Sequence, residues 1–212
     1  MKKNQFLTII AISLMLTACN NEKETIEIKE VVKENNVTIK PVGNISAELQ
    51  TFPFEEAIKV SELIAEIEII ENVRELNEPT AKTIFKATIT EVIKNDSRLT
   101  TDSLHIMQQG NSELTFNKNE LFQPGEKYVL FLKSAKNIQE KHTYWILGEE
   151  TGMYKKIDDR FIAKLALRDN ALADIEDEKL SDELTKSKNS NEIQVLLKEE
   201  FIEKIKNSLM SN

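Results

Sequence analysis

Leu63-Ile64-Ala65-Glu66-Ile67-Glu68-Ile69-Ile70 alternates apolar and polar side chains, and Thr83-Ile84-Phe85-Lys86-Ala87-Thr88-Ile89-Thr90-Glu91-Val92-Ile93 does the same before the turn Asn95-Asp96-Ser97. A period of two places one set of side chains on a buried face and the other towards solvent, so both segments read as long strands. The pattern continues downstream. Leu104 to Gln109 stops at Gly110-Asn111, and Lys127 to Leu132 follows the turn Pro124-Gly125. His142 to Leu147 ends at Gly148, and Gly152 to Ile157 leads through Asp158-Asp159 into Arg160-Phe161-Ile162. At least six strands within about a hundred residues, with no intervening helix long enough for a parallel crossover, predict an antiparallel sheet curled into a small barrel.

One strand stands out. In Lys127 to Leu132, Tyr128, Leu130 and Leu132 share one face and Val129 and Phe131 the other. Two apolar faces require cover on both sides, so this is the expected central strand. Phe54 to Val60 reads as a short helical turn leading into the barrel. After the last strand, Ala171 to Lys186 carries Leu172, Ile175, Leu180 and Leu184 at helical spacing. A second helix is expected to open at Asn189 as N-cap, with Glu192 completing a capping box and Ile193, Leu196, Leu197, Phe201, Ile205 and Leu209 as its apolar face. The expected class is α+β: a small antiparallel barrel with C-terminal amphipathic helices.

The N-terminus has the parts of an export signal: Met1-Lys2-Lys3, an apolar run from Phe6 to Leu16, and small residues before Cys19. As a helix, that run of about 11 residues spans roughly 16 Å, about half a bilayer's hydrocarbon core, so it is read as a cleaved signal. An ordinary signal peptidase cutting after Ala18 would meet the bulky Leu16 at its third position. Leu16-Thr17-Ala18-Cys19 instead resembles a lipobox, the motif of bacterial lipoproteins. The resemblance implies cleavage before Cys19, a diacylglyceryl thioether on its thiol, and a protein held outside the cell on the membrane. Cys19 is the only cysteine, so no disulfide framework competes for it.

The expected organisation is residues 1–18 as signal peptide, 19–50 as lipidated N-terminus and tether, 51–166 as barrel and 167–212 as C-terminal helices. Residues 20 to about 50 are rich in Glu, Lys and Asn and bury little apolar surface, which is the basis for the tether. An alternative has Thr25 to Val32 and Val37 to Ile39 adding a strand.

The formal net charge is −8, and loss of Lys2 and Lys3 with the leader makes the remainder more acidic still. Without a basic stripe interleaved with aromatics, nucleic-acid binding is not expected. The abundance of Lys, Ile, Asn and Glu suggests an AT-rich genome and, with the lipobox, a Gram-positive host.

Phe54-Glu55-Glu56-Ala57, the strand at Leu63 to Ile70, Met107-Gln108-Gln109-Gly110, Phe122 to Leu132 and Tyr144 to Tyr154 resemble the small β-barrel domain of uncharacterised exported Gram-positive proteins. That domain is similar in layout to OB-fold and netrin-like barrels. The resemblance covers about 54–165 and implies a fold without implying an activity.

For chemistry, the chain offers two histidines, His105 and His142, both within expected strands and without zinc-site spacing. Asp158-Asp159 and Glu149-Glu150 sit at expected turns, where solvated carboxylates are ordinary. No catalytic residue, cofactor or metal is therefore assigned. Tyr144, Trp145 and Tyr154, around the Gly148 to Gly152 loop, are the candidate ligand or partner contacts, because aromatics dominate binding hot spots. The expected function is a membrane-anchored surface module that binds an unidentified partner; the alternative is an envelope hydrolase whose site forms only in the fold.

Overall fold

Alternation along Leu63-Ile64-Ala65-Glu66-Ile67 has the consequence expected of it: Leu63, Ala65, Ile67 and Ile69 point into one core, and Ile64 points into another. The computed structural model describes residues 43–48, 50–188 and 193–211. The chain from Ile39 to Asn212 forms one compact unit. Residues 1–42, the expected signal peptide and Cys19 among them, lie outside the described residues, as do Asn189 and Glu192, the expected cap of the last helix.

The elements, in chain order, begin with β1 (Gly43–Ile45), α1 (Phe54–Val60), β2 (Leu63–Leu76), β3 (Lys82–Asn95), β4 (Ser103–Gln109) and β5 (Leu114–Phe116). They continue with β6 (Lys127–Ser134), β7 (Thr143–Ile146), β8 (Met153–Lys156) and β9 (Phe161–Lys164), and end with α2 (Glu178–Lys188), β10 (Gln194–Leu197) and α3 (Lys198–Met210). Five strands close into a barrel in the order β6-β2-β3-β4-β7, with β7 returning to β6, and β8, β9 and β10 extend from β6 as a flap. The class is α+β.

The barrel is not wholly antiparallel. Five is odd, so directions cannot alternate all the way round a closed ring; the exception is β4 with β7, which pair in parallel through His105↔Thr143, Ile106↔Tyr144 and Met107↔Trp145. The small β1–β5 pair is parallel as well. Because Gly43–Ile45 is paired, the fold begins before residue 50, inside the stretch expected to be tether.

β6 holds the assembly together by dividing its edge. Tyr128, Val129 and Leu130 pair with β8, Leu132 to Ser134 pair with β7, and the other edge of β6 pairs with β2. Tyr128, Leu130 and Leu132 fill the barrel with Phe85, Ile106, Phe122 and Tyr144. Val129 and Phe131 face a second core formed with Phe54 and Ile58 of α1, Tyr154, Ile162, Leu196, and Phe201 and Ile205 of α3. A strand apolar on both faces is thus covered on both faces.

α1 has only seven residues, too few for a stable isolated helix. Phe54 and Ile58, one turn apart, bury its inner face in the second core. Its C-terminal end is closed by Lys94 of β3, 8% exposed, whose ammonium donates to the carbonyls of Ile58 (2.9 Å), Lys59 (3.0 Å) and Ser61 (2.6 Å). The same ammonium pairs with Asp96 at 3.0 Å. A cation at a helix C-terminus satisfies carbonyls that have no intrahelical partner and complements the helix dipole. Lys94→Met keeps the aliphatic stem and strands those carbonyls, so it is expected to lower unfolding free energy by about 2 kcal/mol, measured by urea denaturation.

The C-terminal region departs from the expected helices. Asn170–Ile175 forms a tight 3-10 turn, and the α-helix starts only at Glu178. Gln194–Leu197 is the edge strand β10, paired antiparallel with β9, so α3 begins at Lys198. The expected helical face from Ile193 to Leu209 therefore joins two elements. Val195 and Leu196 are both fully buried, in different clusters, which suits a strand covered on both sides. The free edge of β10 is also closed: the Val195 carbonyl accepts from Asp177 N–H, and Val195 N–H donates to the Ser181 hydroxyl. A sheet edge satisfied in this way is protected from pairing with another chain.

Candidate functional site

The three aromatic candidates go to three different places. Tyr144 is 4% exposed and points into the barrel; Tyr154 is 3% exposed and belongs to the second core. Tyr154 lies 4.5 Å from the Phe201 ring and 5.5 Å from the Phe131 ring, and burial pushes its hydroxyl above its ordinary range. Trp145 lies between the inward-facing Tyr144 and Ile146 on β7, and alternation turns it outwards, where it is 46% exposed. The aromatics therefore form no common pocket, and Trp145 alone offers a contact surface.

The setting of Trp145 follows from register. Met107 of β4 and Lys133 of β6 are its cross-strand partners, and His105 and Thr143 form the next row. The β6–β7 connection brings Lys136 and Lys141 to the same end of the barrel, both exposed. The one carboxylate between Lys133 and Trp145 is Glu140, and Arg74 grips it with two hydrogen bonds, Nε to Oε1 at 2.5 Å and Nη2 to Oε2 at 3.0 Å. The guanidinium holds the Glu140 carboxyl below its ordinary range. Lys133 as a neighbour of Trp145 is legible in the sequence once a hairpin over 127–147 is drawn, since that hairpin sets the two opposite each other.

A second polar constellation surrounds Glu66, on the outward face of β2 and 5% exposed. Lys156 at the end of β8 approaches Oε1 at 3.3 Å, and Lys198, the first residue of α3, forms an ion pair with Oε2. Lys156 also pairs with Asp159 at 2.9 Å. Burial alone would raise the Glu66 carboxyl; the ammonium of Lys198, and then that of Lys156, hold it below its ordinary value. The cluster is a charged clasp joining barrel, flap and C-terminal helix. Two shallow grooves flank it: about 440 Å³ between Glu91, Lys198, Glu199, Ile202 and Lys206, and about 270 Å³ between Glu126, Lys127, Lys155 and Asp158.

Neither groove is lined by a histidine. His105 Nδ1 lies 3.0 Å from the Lys141 carbonyl, which only accepts, so that nitrogen carries the proton. His142 sits in an exposed turn with φ 55°. Asp158 is a turn residue whose Oδ1 accepts from Arg160 and Phe161 N–H, while Asp159 serves the clasp. Among the described residues no three His, Cys, Asp or Glu side chains gather in a metal-binding group, and no helix is long and apolar enough to cross a membrane. Cys19 lies outside the described residues. No protein-family model matches the chain, and no curated protein matches it significantly.

Proposed function

We propose that this chain is an exported bacterial lipoprotein, cut before Cys19 and anchored through a lipid on its thiol, whose barrel acts as an interaction module outside the cell membrane. In this reading the barrel has the OB-like or netrin-like layout that its motifs resemble, and Trp145 is its contact residue. The observation that supports the binding role best is Trp145 itself. A large amphipathic side chain held half-exposed on a rigid strand has little conformational entropy to lose on binding, and such residues anchor interfaces. Support for the anchor comes from Leu16-Thr17-Ala18-Cys19 and from the leader before it.

Cys19→Ser tests the anchor, since a hydroxyl is a far weaker nucleophile than a thiolate. The variant is expected in the medium or as uncleaved precursor, leaving the detergent phase of a phase-separation assay; unchanged partitioning would refute lipidation. Photocrosslinking from position 145 on intact cells tests the binding role, and an absence of any adduct counts against it.

A further inference from the structure

We infer that the Trp145 face of the barrel docks on an anionic phospholipid surface, a reading that rests on the proposed membrane-anchored role and names the partner of that face. The charge distribution carries it. The whole chain has a formal charge of −8, yet the hairpin from Lys133 to Trp145 holds Lys133, Lys136 and Lys141 against the single acid Glu140. That acid is neutralised by the two-pronged contact with Arg74. Lys133, Lys136 and Lys141 make no ion pair among the described residues, as is true of Lys59, Lys82 and Lys118 elsewhere, whereas Lys94, Lys127, Lys155, Lys156 and Lys198 each have a carboxylate partner. Lys133 stands opposite Trp145, with Lys136 and Lys141 on the connection between their strands and Glu62, which accepts from Ser134, the other carboxylate that reaches this hairpin among the described residues.

These residue types match a membrane interface. The indole places its apolar body at the acyl boundary and its N–H among headgroups, and lysines reach phosphate on long stems. Fields are screened within about 8 Å at physiological salt, so the local charge of the hairpin, not the net charge of the chain, sets the sign at the docking face. Each lysine near an anionic surface contributes about a fivefold gain in partition, so three contribute roughly 150-fold. Anchoring makes a weak patch sufficient. Whatever its conformation, the chain between Cys19 and Gly43 reaches at most about 80 Å, which confines the domain to an effective concentration on the order of 1 mM at the bilayer.

The sequence supplies its own probes, because Cys19 is the only cysteine and Trp145 the only tryptophan. The chain beginning at Cys19, which contains the entire compact unit from Ile39, is coupled through its thiol to a maleimide lipid in vesicles of phosphatidylcholine alone or of phosphatidylcholine with phosphatidylglycerol. Chemical coupling imposes the anchor, so the outcome does not depend on lipidation in the cell; failure of that reading shows only in the Cys19→Ser assay. On the anionic vesicles Trp145 emission is expected to shift to the blue and acrylamide quenching to fall, with neither change on phosphatidylcholine. Lys133→Gln, Lys136→Gln and Lys141→Gln together are expected to abolish both changes without altering thermal unfolding, since all three side chains leave the core untouched. Identical emission on the two vesicle types overturns the proposal. A blue shift with soluble polyphosphate and no vesicles overturns it in favour of a polyanionic polymer, and one that depends on protein density on neutral vesicles overturns it in favour of a second copy of this chain.

Discussion

Phe131→Ala is expected to lower the stability of the domain by about 4 kcal/mol. The side chain is 1% exposed and lies where four elements meet. Its ring is 6.2 Å from Phe54 of α1, 5.5 Å from Tyr154 of β8 and 6.3 Å from Phe201 of α3. Truncation removes the transfer free energy of the ring and leaves a cavity whose walls cannot collapse, because the three surrounding rings belong to separate elements fixed by their own pairings. A loss of this size is a large share of the ~5–15 kcal/mol that keeps a domain folded. Both helices are expected to loosen together, since α1 and α3 each contact the barrel through this ring. Calorimetry and far-ultraviolet circular dichroism check the result; a change below about 1 kcal/mol would mean that the second core does not hold the helices.

The readability of this fold in its sequence followed the strength of the period. β2 and β3 each keep a period of two over one stretch, Leu63 to Ile69 and Phe85 to Ile89, bulges interrupt each strand elsewhere, and in both the expected strand lies inside the observed one. The two-faced β6 was legible because only a doubly covered strand tolerates Val129 and Phe131 opposite Tyr128, Leu130 and Leu132. β10 was not legible. Gln194-Val195-Leu196-Leu197 precedes a true amphipathic helix, and its apolar residues satisfy the helical spacing as well as the strand spacing. What decides for strand is the edge of β9 and the donor from Asp177, both remote in sequence. The three-residue strands β1 and β5 are stabilised by pairing with each other rather than by any local pattern.

The site divided in the same way. Alternation along Thr143–Ile146 is enough to separate an inward Tyr144 from an outward Trp145, whereas nearness to one loop does not tell which way each side chain points. Tyr154 depends on which face of β8 meets α3, a fact that no local pattern carries. The Glu66 clasp was invisible for another reason. Its three members are separated by about 90 and then 40 residues, and a glutamate on the solvent side of an alternating strand reads as an ordinary surface acid.

That clasp leads to the second large effect, the removal of its carboxylate charge. Glu66→Gln keeps the size of the side chain but leaves the ammonium groups of Lys156 and Lys198 close together and half-buried without their shared counter-ion, with only the exposed Asp159 still paired to Lys156. Deleting one partner of a buried ion pair leaves uncompensated charge, and the expected loss is about 3 kcal/mol. Acid titration of the unaltered protein removes the same charge reversibly. The folded-state value of Glu66 lies below the ordinary carboxyl value of 4.5, because two lysines favour the ionised form. A group depressed in this way contributes its stability in full above the unfolded value and loses it as pH falls through the folded one. Stability from this cluster should therefore be flat above about pH 5 and fall below about pH 4.5, as the unfolded chain takes up a proton that the folded chain resists. Urea unfolding from pH 7 to pH 3, with and without Glu66→Gln, isolates this contribution: the difference between the two proteins should shrink as the pH drops. A difference that stays constant to pH 3 would show that the clasp acts through packing rather than charge.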